Sequence, residues 1–139
     1  STNVGGIAGE SKGTITQCRN DGQVSKVAGV ICKTVNLGGV VGKNSETARL
    51  SNSKNYGNVN SETDILVNLG GICGILYNNS IVELCENNGA ISGSGKEIIP
   101  NEDTNTNCAS CTSNNGGSAS TDDFGQLNIG IIYGKYQEI

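Results

Sequence analysis

A seven-residue phrase recurs along this chain, and its recurrence constrains the fold more than any other feature. The copies are NVGGIAG from residue 3, NLGGVVG from residue 36, NLGGICG from residue 68 and NIGIIYG from residue 128. The first three copies are therefore 33 and 32 residues apart, and the last follows after 60 residues. Self-similarity at a fixed period of this length indicates a repeat architecture, in which one small unit is stacked on copies of itself.

A second phrase accompanies the first and has the frame apolar-x-x-(Cys/Ser)-x-Asn-x-Gly-x-(Val/Ile). It reads ITQCRNDGQV from residue 15, LSNSKNYGNV from residue 50 and VELCENNGAI from residue 82. We predict that the residues repeated in the two phrases are structural and have the same role in every copy. They are the glycine pairs Gly5 and Gly6, Gly38 and Gly39, and Gly70 and Gly71, together with Asn20, Asn55, Asn87, Gly22, Gly57 and Gly89.

The composition of each copy favours strands over helices. Apolar stretches are short, and Gly or Asn interrupts each of them. Gly costs about 1 kcal/mol per helix-interior position relative to Ala, so a helix with two or three in each copy would not form. In the third copy we expect strands near 66–73, 80–85 and 90–91, joined by Asn and Gly turns. The sequence therefore predicts an all-β fold, a parallel β-solenoid (β-helix) with coils of about 32 residues and three short strands each.

In such a fold each strand pairs in parallel with its equivalent in the next coil, ~4.8 Å away, so that equivalent Asn side chains stack and bond to one another. We predict a single domain over residues 1–139, with coils that start near residues 3, 36, 68 and 128. The frame breaks down over residues 92–123, which we predict to be a long irregular insertion or a degenerate coil, since CTSNNG from residue 111 echoes CENNG from residue 85. Such an insertion is either a mobile or capping loop or a partner-binding loop.

The chain has six cysteines, Cys18, Cys32, Cys73, Cys85, Cys108 and Cys111. An even number in an extracellular chain suggests disulfides, whereas those inside the repeat frame can equally be small buried residues. Cys18 and Cys85 are equivalent but two coils apart, which at ~9–10 Å is too far for a disulfide. The disulfide candidates are Cys108 and Cys111, in the motif CASC, and Cys32. The CASC pair would form either a local bridge or a bridge to another loop.

Few residues are suited to catalysis or to holding a cofactor. The chain has no His, so a Ser or Cys nucleophile that relies on His is excluded, and CASC has no further pair of ligands for zinc. The acidic stretches, NEDTNTN from residue 101 and Asp122–Asp123, do not have the spacing of a calcium loop. Glu83 and Glu86 have no acidic equivalents in neighbouring coils. We predict no enzyme, no catalytic or metal residues and no cofactor, with weak calcium binding at the surface left open.

Charge and hydropathy limit the partners. The net charge is −4, and the nine Lys and Arg residues are scattered, so we expect no nucleic-acid partner. No apolar run approaches the ~20 residues of a membrane span. The chain starts with neither an initiator Met nor a signal peptide, and we expect it to be a mature or excised piece of a larger protein.

Two segments, GGIAGESKGTITQCRNDGQV and GGICGILYNNSIVELCENNGAI, resemble the Gly-rich GLUG-type repeats of bacterial cell-surface proteins, which occur in adhesins and beside the peptidase domains of immunoglobulin A proteases. The resemblance covers about residues 3–91 and 127–134. It implies a surface-exposed, non-catalytic segment of β-solenoid-like form.

The predicted function is that of a non-enzymatic extracellular or cell-surface segment with a structural or adhesive role. Its repeats would act as scaffold or spacer and would present a surface to a host or cell-surface protein or glycan. Two alternatives stay open. One is a self-assembling fibre (filament) subunit whose partners are copies of itself, and the other is a fragment of a carbohydrate-active β-helix protein.

Overall fold

The computed structural model describes residues 2–27, 34–101 and 107–138. Within these ranges all regular structure is β-strand, there is no helix, and the paired strands are parallel. Pairing joins equivalent residues of successive copies: Asn36 pairs with Asn3 on one side and with Asn68 on the other. The prediction of an all-β fold built from parallel sheets is confirmed.

The strands form four sheets: sheets B, C and D each take one set of equivalent strands from successive copies, and sheet A takes two such sets. Sheet A contains, in spatial order, β1 (Thr2–Gly5), β6 (Val35–Gly38), β11 (Leu66–Gly70), β17 (Gly117–Gly130), β15 (Ile91–Asn101), β10 (Val59–Ser61) and β5 (Val24–Lys26). Sheet B contains β18 (Tyr133–Gln137), β12 (Cys73–Tyr77), β7 (Val41–Asn44) and β2 (Ala8–Ser11). Sheet C contains β13 (Ile81–Glu83), β8 (Arg49–Ser51) and β3 (Thr14–Thr16). Sheet D contains β16 (Thr112–Ser113), β14 (Glu86–Asn87), β9 (Lys54–Asn55) and β4 (Arg19–Asn20). Sheet A bends back until β1 and β5 come close, which leaves it nearly closed.

Each of the first three copies forms five short strands, so the expectation of three strands per copy is wrong. The first expected strand is split by the bend at the glycine pair. The second ends early, at a residue with positive φ, and a further short strand begins beyond its expected end, because a left-handed residue cannot continue an extended strand. That residue stands at the same place in successive copies, as Gln17, Asn52, Leu84 and Ser110, with φ of 56°, 50°, 54° and 55°.

The segment 92–123 also differs from the irregular insertion that its Ser, Asn and Gly content suggested. In its described part most residues are in strands, and Thr112–Ser113 pairs with Glu86–Asn87 in sheet D. In sheet A, Gln126–Gly130 lies between Leu66–Gly70 on one side and Glu97–Asn101 on the other. The last copy of the first phrase therefore pairs directly with the third copy, and Glu97–Asn101, which comes earlier in the chain, lies on its outer side. Pairing to an existing edge outweighs the low strand propensity of these residues.

The buried apolar side chains form two clusters. The cluster inside sheet A comprises Val24, Val35, Leu37, Val59, Val67, Leu69, Ile91, Leu127 and Ile129. The cluster that draws on sheets B and C comprises Val40, Val41, Leu50, Ile72, Cys73, Leu76, Val82, Cys85, Cys108, Cys111, Ile132 and Tyr133. Nearly all of these residues are aliphatic or Cys, as expected for thin layers built with a single Phe and no Trp.

The last glycine of the first phrase allows sheets A and B to approach closely. A Cβ atom on Gly42 would lie 2.6 Å from the backbone nitrogen of Val4, and one on Gly74 would lie 2.4 Å from that of Leu37. Both distances are too short for any side chain larger than a hydrogen atom. The phrase thus requires glycine at this position in order to bring the two sheets together.

Candidate functional site

The Asn residues of the second phrase form a buried amide ladder. Asn20 Nδ2 donates to Asn55 Oδ1 at 2.9 Å, and Asn55 Nδ2 donates to Asn87 Oδ1 at 2.8 Å. Asn87 Nδ2 in turn donates to Ser113 Oγ at 3.3 Å. Each Asn also closes its own turn, since Asn55 Nδ2 donates to the Gly57 carbonyl and the Gly57 N–H donates to Asn55 Oδ1. Both ends of a buried amide are therefore satisfied, as burial requires.

The Asn that opens the first phrase forms another ladder, which the sequence analysis did not single out. Asn36 Nδ2 donates to Asn3 Oδ1 and Asn68 Nδ2 to Asn36 Oδ1, both at 2.8 Å. Asn128 Nδ2 donates to Asn68 Oδ1 at 2.7 Å. The signal was available, because Asn opens all four copies of the phrase.

The second glycine of each pair makes room for the ladder of the second phrase. A Cβ on Gly39 would lie 2.4 Å from Cγ of Asn55, and a Cβ on Gly71 would lie 2.5 Å from Cγ of Asn87. The two phrases recur together because the glycine of one phrase and the Asn of the other share the same space.

The last copy changes both partners at once. Ile131 stands at the second glycine position and contacts both apolar clusters. Ser113 is in register with Asn87 and so occupies the Asn position of its layer. We infer that the shorter Ser side chain leaves the volume that Ile131 fills.

Most of the other repeated glycines approach backbone atoms closely; Gly22, in the first copy, is the exception, because a Cβ there would meet only Asn20 Oδ1, at 3.8 Å. A Cβ on Gly38 would lie 2.1 Å from the carbonyl oxygen of Val41. A Cβ on Gly57 would lie 1.9 Å from the carbonyl oxygen of Gly22, and one on Gly89 would lie 1.9 Å from that of Gly57. Stacked turns at the spacing of a parallel sheet leave no room for side chains at these positions.

The cysteines are mostly buried. A disulfide joins Cys108 to Cys111, with their Cα atoms 5.6 Å apart, so the local bridge is the one present. Cys73 and Cys85 are buried free thiols. Burial raises the pKa of Cys85 to about 11 and raises that of Cys73 well above its ordinary value. Cys32 lies outside the described residues.

The raised pKa of Cys85 predicts a loss of stability in alkali. The unfolded thiol ionises near pH 9.0, whereas the folded thiol stays neutral up to about pH 11. The contribution of the neutral Cys85 thiol to the free energy of unfolding is therefore complete below pH 9 and is lost as the pH rises toward 11. We expect Cys85→Ser, which places at residue 85 the Ser found at the equivalent residue 53, to lose less stability between pH 8 and 10.5 in urea titrations. An equal loss in both proteins would contradict the prediction.

A polar groove lies at the ends of β2 and β7, with a cavity volume of about 380 Å³. We call it the Glu10 groove, and its lining residues are Glu10, Lys12, Lys43, Ser45, Glu46, Thr47 and Tyr77. Glu10 and Lys43 are register neighbours in sheet B, so the groove is assembled from different copies.

Contacts within the Glu10 groove fix its charged groups. Ser45 Oγ donates to Glu10 Oε2 at 2.7 Å, and Lys43 Nζ lies 4.0 Å from the same oxygen. The hydrogen bond from Ser45, assisted by the charges of Lys43 and Lys12, lowers the pKa of Glu10. Lys43 Nζ also lies 5.3 Å from the ring centroid of Tyr77. The groove thus offers an ionised acceptor, ammonium donors and an aromatic side chain, which suits a polar ligand with an apolar face.

The acidic residues considered for calcium or catalysis mostly have partners. Asp122 Oδ2 accepts a hydrogen bond from Thr63 Oγ1 at 2.5 Å, which lowers the pKa of Asp122. Glu83 pairs with Arg49, and Glu86 lies 3.4 Å from Lys54. In residues 2–27, 34–101 and 107–138 no three His, Cys, Asp or Glu side chains are grouped so that they could hold a metal ion. Most of the stretch 101–107 lies outside the described residues.

Comparison with protein-family models, with curated proteins and with solved structures found no match to this chain. In the part of the chain that the structure describes, no helix has the length and apolar character needed to cross a membrane.

Proposed function

We propose that this chain is a non-enzymatic segment of an extracellular or cell-surface protein, in which a β-solenoid acts as scaffold and carries a partner-binding surface. Equivalent strands of successive copies would form the faces of the solenoid. This proposal extends the resemblance to the GLUG-type repeats of bacterial cell-surface proteins, which occur in adhesins.

One observation carries the proposal: identical residues of successive copies stack on one another in buried amide ladders. Asn36 and Asn68, for example, are bonded at 2.8 Å and are 4% and 1% exposed. Such ladders are a property of extended, repetitive scaffolds, in which each layer stabilises the next. Because the buried repeated residues stabilise the fold, the residues that point outward can differ between copies. Such residues can form a binding surface.

We assign the partner-binding surface to the Glu10 groove and propose a glycan as its ligand. Sugars combine hydroxyl groups, which would bond to Glu10, Lys43 and Thr47, with apolar ring faces that stack on aromatic side chains such as Tyr77. The disulfide of Cys108 and Cys111 is consistent with an oxidising environment.

Screening on a glycan array should find ligands whose binding needs the groove. Tyr77→Ala and Glu10→Gln are each expected to weaken the affinity about tenfold or more, equivalent to ~1.4 kcal/mol. The matched control is Tyr56→Ala, because Tyr56 stacks with Arg19 at 4.1 Å outside the groove. Equal losses in Tyr77→Ala and Tyr56→Ala would contradict the assignment, and shortening of the bound glycan would support the carbohydrate-active alternative.

The fibre alternative needs two ends that can pair. In the described residues, Glu97–Asn101 is the outermost strand segment of sheet A beyond Gln126–Gly130. This segment carries Pro100, which lacks a backbone donor. The missing donor opposes pairing of this edge with another copy and favours the scaffold. Ordered filaments in electron micrographs would reverse that preference.

A further inference from the structure

A lysine and an aspartate meet in the interior of the chain, and neither lines the Glu10 groove. Lys26 is the last residue of β5 in the first copy, and Asp64 lies in the loop between β10 and β11 in the second copy. Lys26 Nζ lies 2.9 Å from Asp64 Oδ2, and the two side chains are 10% and 0% exposed. An amine and a carboxyl group are therefore held together where solvent has little access.

The contact between these two groups is close, but it does not have the angles of a hydrogen bond. Lys26 Nζ is buried and has no hydrogen-bond partner among residues 2–27, 34–101 and 107–138. An ammonium group has three donors, and burying them without acceptors is costly. Transfer of one proton to the carboxylate removes two buried charges at once, which offsets much of its cost. The ion pair therefore has access to a neutral form, an amine beside a carboxylic acid.

The loop 62–65 is held by backbone hydrogen bonds on both sides. The N–H of Glu62 donates to the carbonyl of Lys26 at 3.0 Å, which ties the loop to β5. On the other side, the N–H of Gln126 donates to the carbonyl of Ile65 at 2.9 Å. The amine and the carboxyl group are thus positioned by fixed backbone, and their reaction does not have to bring together two freely moving groups.

The two carboxyl oxygens of Asp64 have different neighbours. Oδ1 accepts a hydrogen bond from the Ile65 N–H at 2.7 Å, whereas Oδ2 faces Lys26 Nζ. A backbone N–H directed at one oxygen stabilises the negative charge that this oxygen acquires when the carboxyl carbon becomes tetrahedral. The other oxygen, beside the amine, is then placed to leave.

We propose that Lys26 and Asp64 condense to an amide, an isopeptide bond that cross-links the first two copies. In the neutral pair, Nζ attacks Cγ of Asp64, and the Nζ–Cγ bond forms. The Cγ–Oδ2 bond breaks, and Oδ2 leaves as water with two of the three protons of the original ammonium group. The third proton stays on the amide nitrogen, so atoms and charge balance without an oxidant or another reactant. A chain that has not condensed keeps the ion pair.

The cross-link fastens an edge of sheet A. β5 is an outermost strand of that sheet and pairs with β10 on one side. Edge strands with few partners open more readily than central ones. A covalent bond from the last residue of β5 to the loop 62–65 restricts the unfolded chain as a disulfide does. Unlike a disulfide, it does not depend on the redox conditions.

Mass spectrometry of the intact, denatured chain tests the proposal. The folded chain, incubated until its spectrum no longer changes, should weigh one water molecule less than its sequence. Proteolysis should then give a branched peptide that contains Lys26 and Asp64. Lys26→Arg is the matched control, because a guanidinium group keeps the charge but stays protonated and cannot attack. This variant should keep the full mass, and so should the parent chain when it is held in concentrated urea.

Three outcomes would overturn the proposal. The first is the full sequence mass in the folded parent chain. The second is a loss of water that persists in Lys26→Arg, which would indicate a succinimide formed by Asp64 with its own backbone. The third is a branched peptide through another pair, such as Lys54 and Glu86, which lie 3.4 Å apart and are more exposed. If Lys26→Arg does not fold, the presence or absence of the expected branched peptide in the parent chain still decides.

Discussion

Gly39→Ala is expected to lower the free energy of unfolding by about 3 kcal/mol or more, which would leave a marginally stable domain largely unfolded. The new methyl group would lie 2.2 Å from the carbonyl oxygen of Gly71 and 2.4 Å from Cγ of Asn55. The first contact is with backbone and the second is with a buried amide that is already bonded on both sides. The Asn55 side chain cannot move away without breaking its hydrogen bonds to Asn20 and Asn87. The Gly71 carbonyl belongs to the closely packed backbone, so small local shifts do not relieve the strain. Urea unfolding followed by far-UV circular dichroism measures the effect.

Gly13→Ala and Gly116→Ala are the matched controls for this prediction. A Cβ at either position has no atom within 4 Å, so the same chemical change meets open space. Both variants should stay close to the parent, with a small gain where Ala restricts the unfolded chain. If Gly39→Ala unfolds at the same urea concentration as these controls, the close contact is not a constraint on the fold.

The last copy offers a second test of the same contact. If Ile131 fills the volume left by Ser113, then Ser113→Asn alone should destabilise the chain, and Ser113→Asn combined with Ile131→Gly should recover part of the loss. The difference between the double variant and the sum of the single variants measures the coupling. Strict additivity would mean that the two residues do not share space.

The sequence predicted the parallel all-β fold for a physical reason. When a strand pairs in register with its own copy, each position meets its equivalent, and a residue that suits one layer suits the next. Asn55 is repeated as Asn20 and Asn87 because each amide bonds to the one above. In this kind of sheet, residues that are repeated in the sequence are therefore residues that contact one another in the structure.

The strand breaks could not be predicted in the same way. The left-handed residues at the second break are Gln17, Asn52, Leu84 and Ser110, which share no chemistry that favours positive φ. Their conformation is imposed by the layers above and below rather than by the side chain. Glu97–Asn101 pairs on the outer side of Gln126–Gly130, although it comes earlier in the sequence. This order is set by tertiary contacts, and no local sequence pattern predicts it.

The Glu10 groove could not be predicted from the repeats, because it is built from positions whose residues differ between copies. Glu10 and Lys43 occupy equivalent positions in two copies but carry opposite charges. A change of charge at equivalent positions of two copies is the sequence signal of this pair. Where copies of a unit pair in register, positions that are the same in every copy form the buried scaffold, and outward positions that differ between copies form its surface.

The second large effect is expected at an ion pair that no repeat predicts. Lys26 Nζ lies 2.9 Å from Asp64 Oδ2, and the two side chains are 10% and 0% exposed. Asp64 Oδ1 also accepts a hydrogen bond from the Ile65 N–H at 2.7 Å. Asp64→Asn keeps the shape but leaves the Lys26 charge buried without its counter-charge. We expect the free energy of unfolding at pH 7 to fall by roughly 3–5 kcal/mol.

Comparison with an exposed pair separates burial from charge. Arg19 and Asp21 also form a close ion pair, but their side chains are 60% and 62% exposed, so Asp21→Asn should leave the unfolding midpoint almost unchanged. Adding Lys26→Met to Asp64→Asn should recover most of the loss, because it removes the buried charge that the single variant leaves unpaired. The penalty of Asp64→Asn should also persist in high salt, which screens exposed charges far more than buried ones. Equal effects of Asp64→Asn and Asp21→Asn, or no recovery in the double variant, would show that the loss does not arise from an uncompensated buried charge.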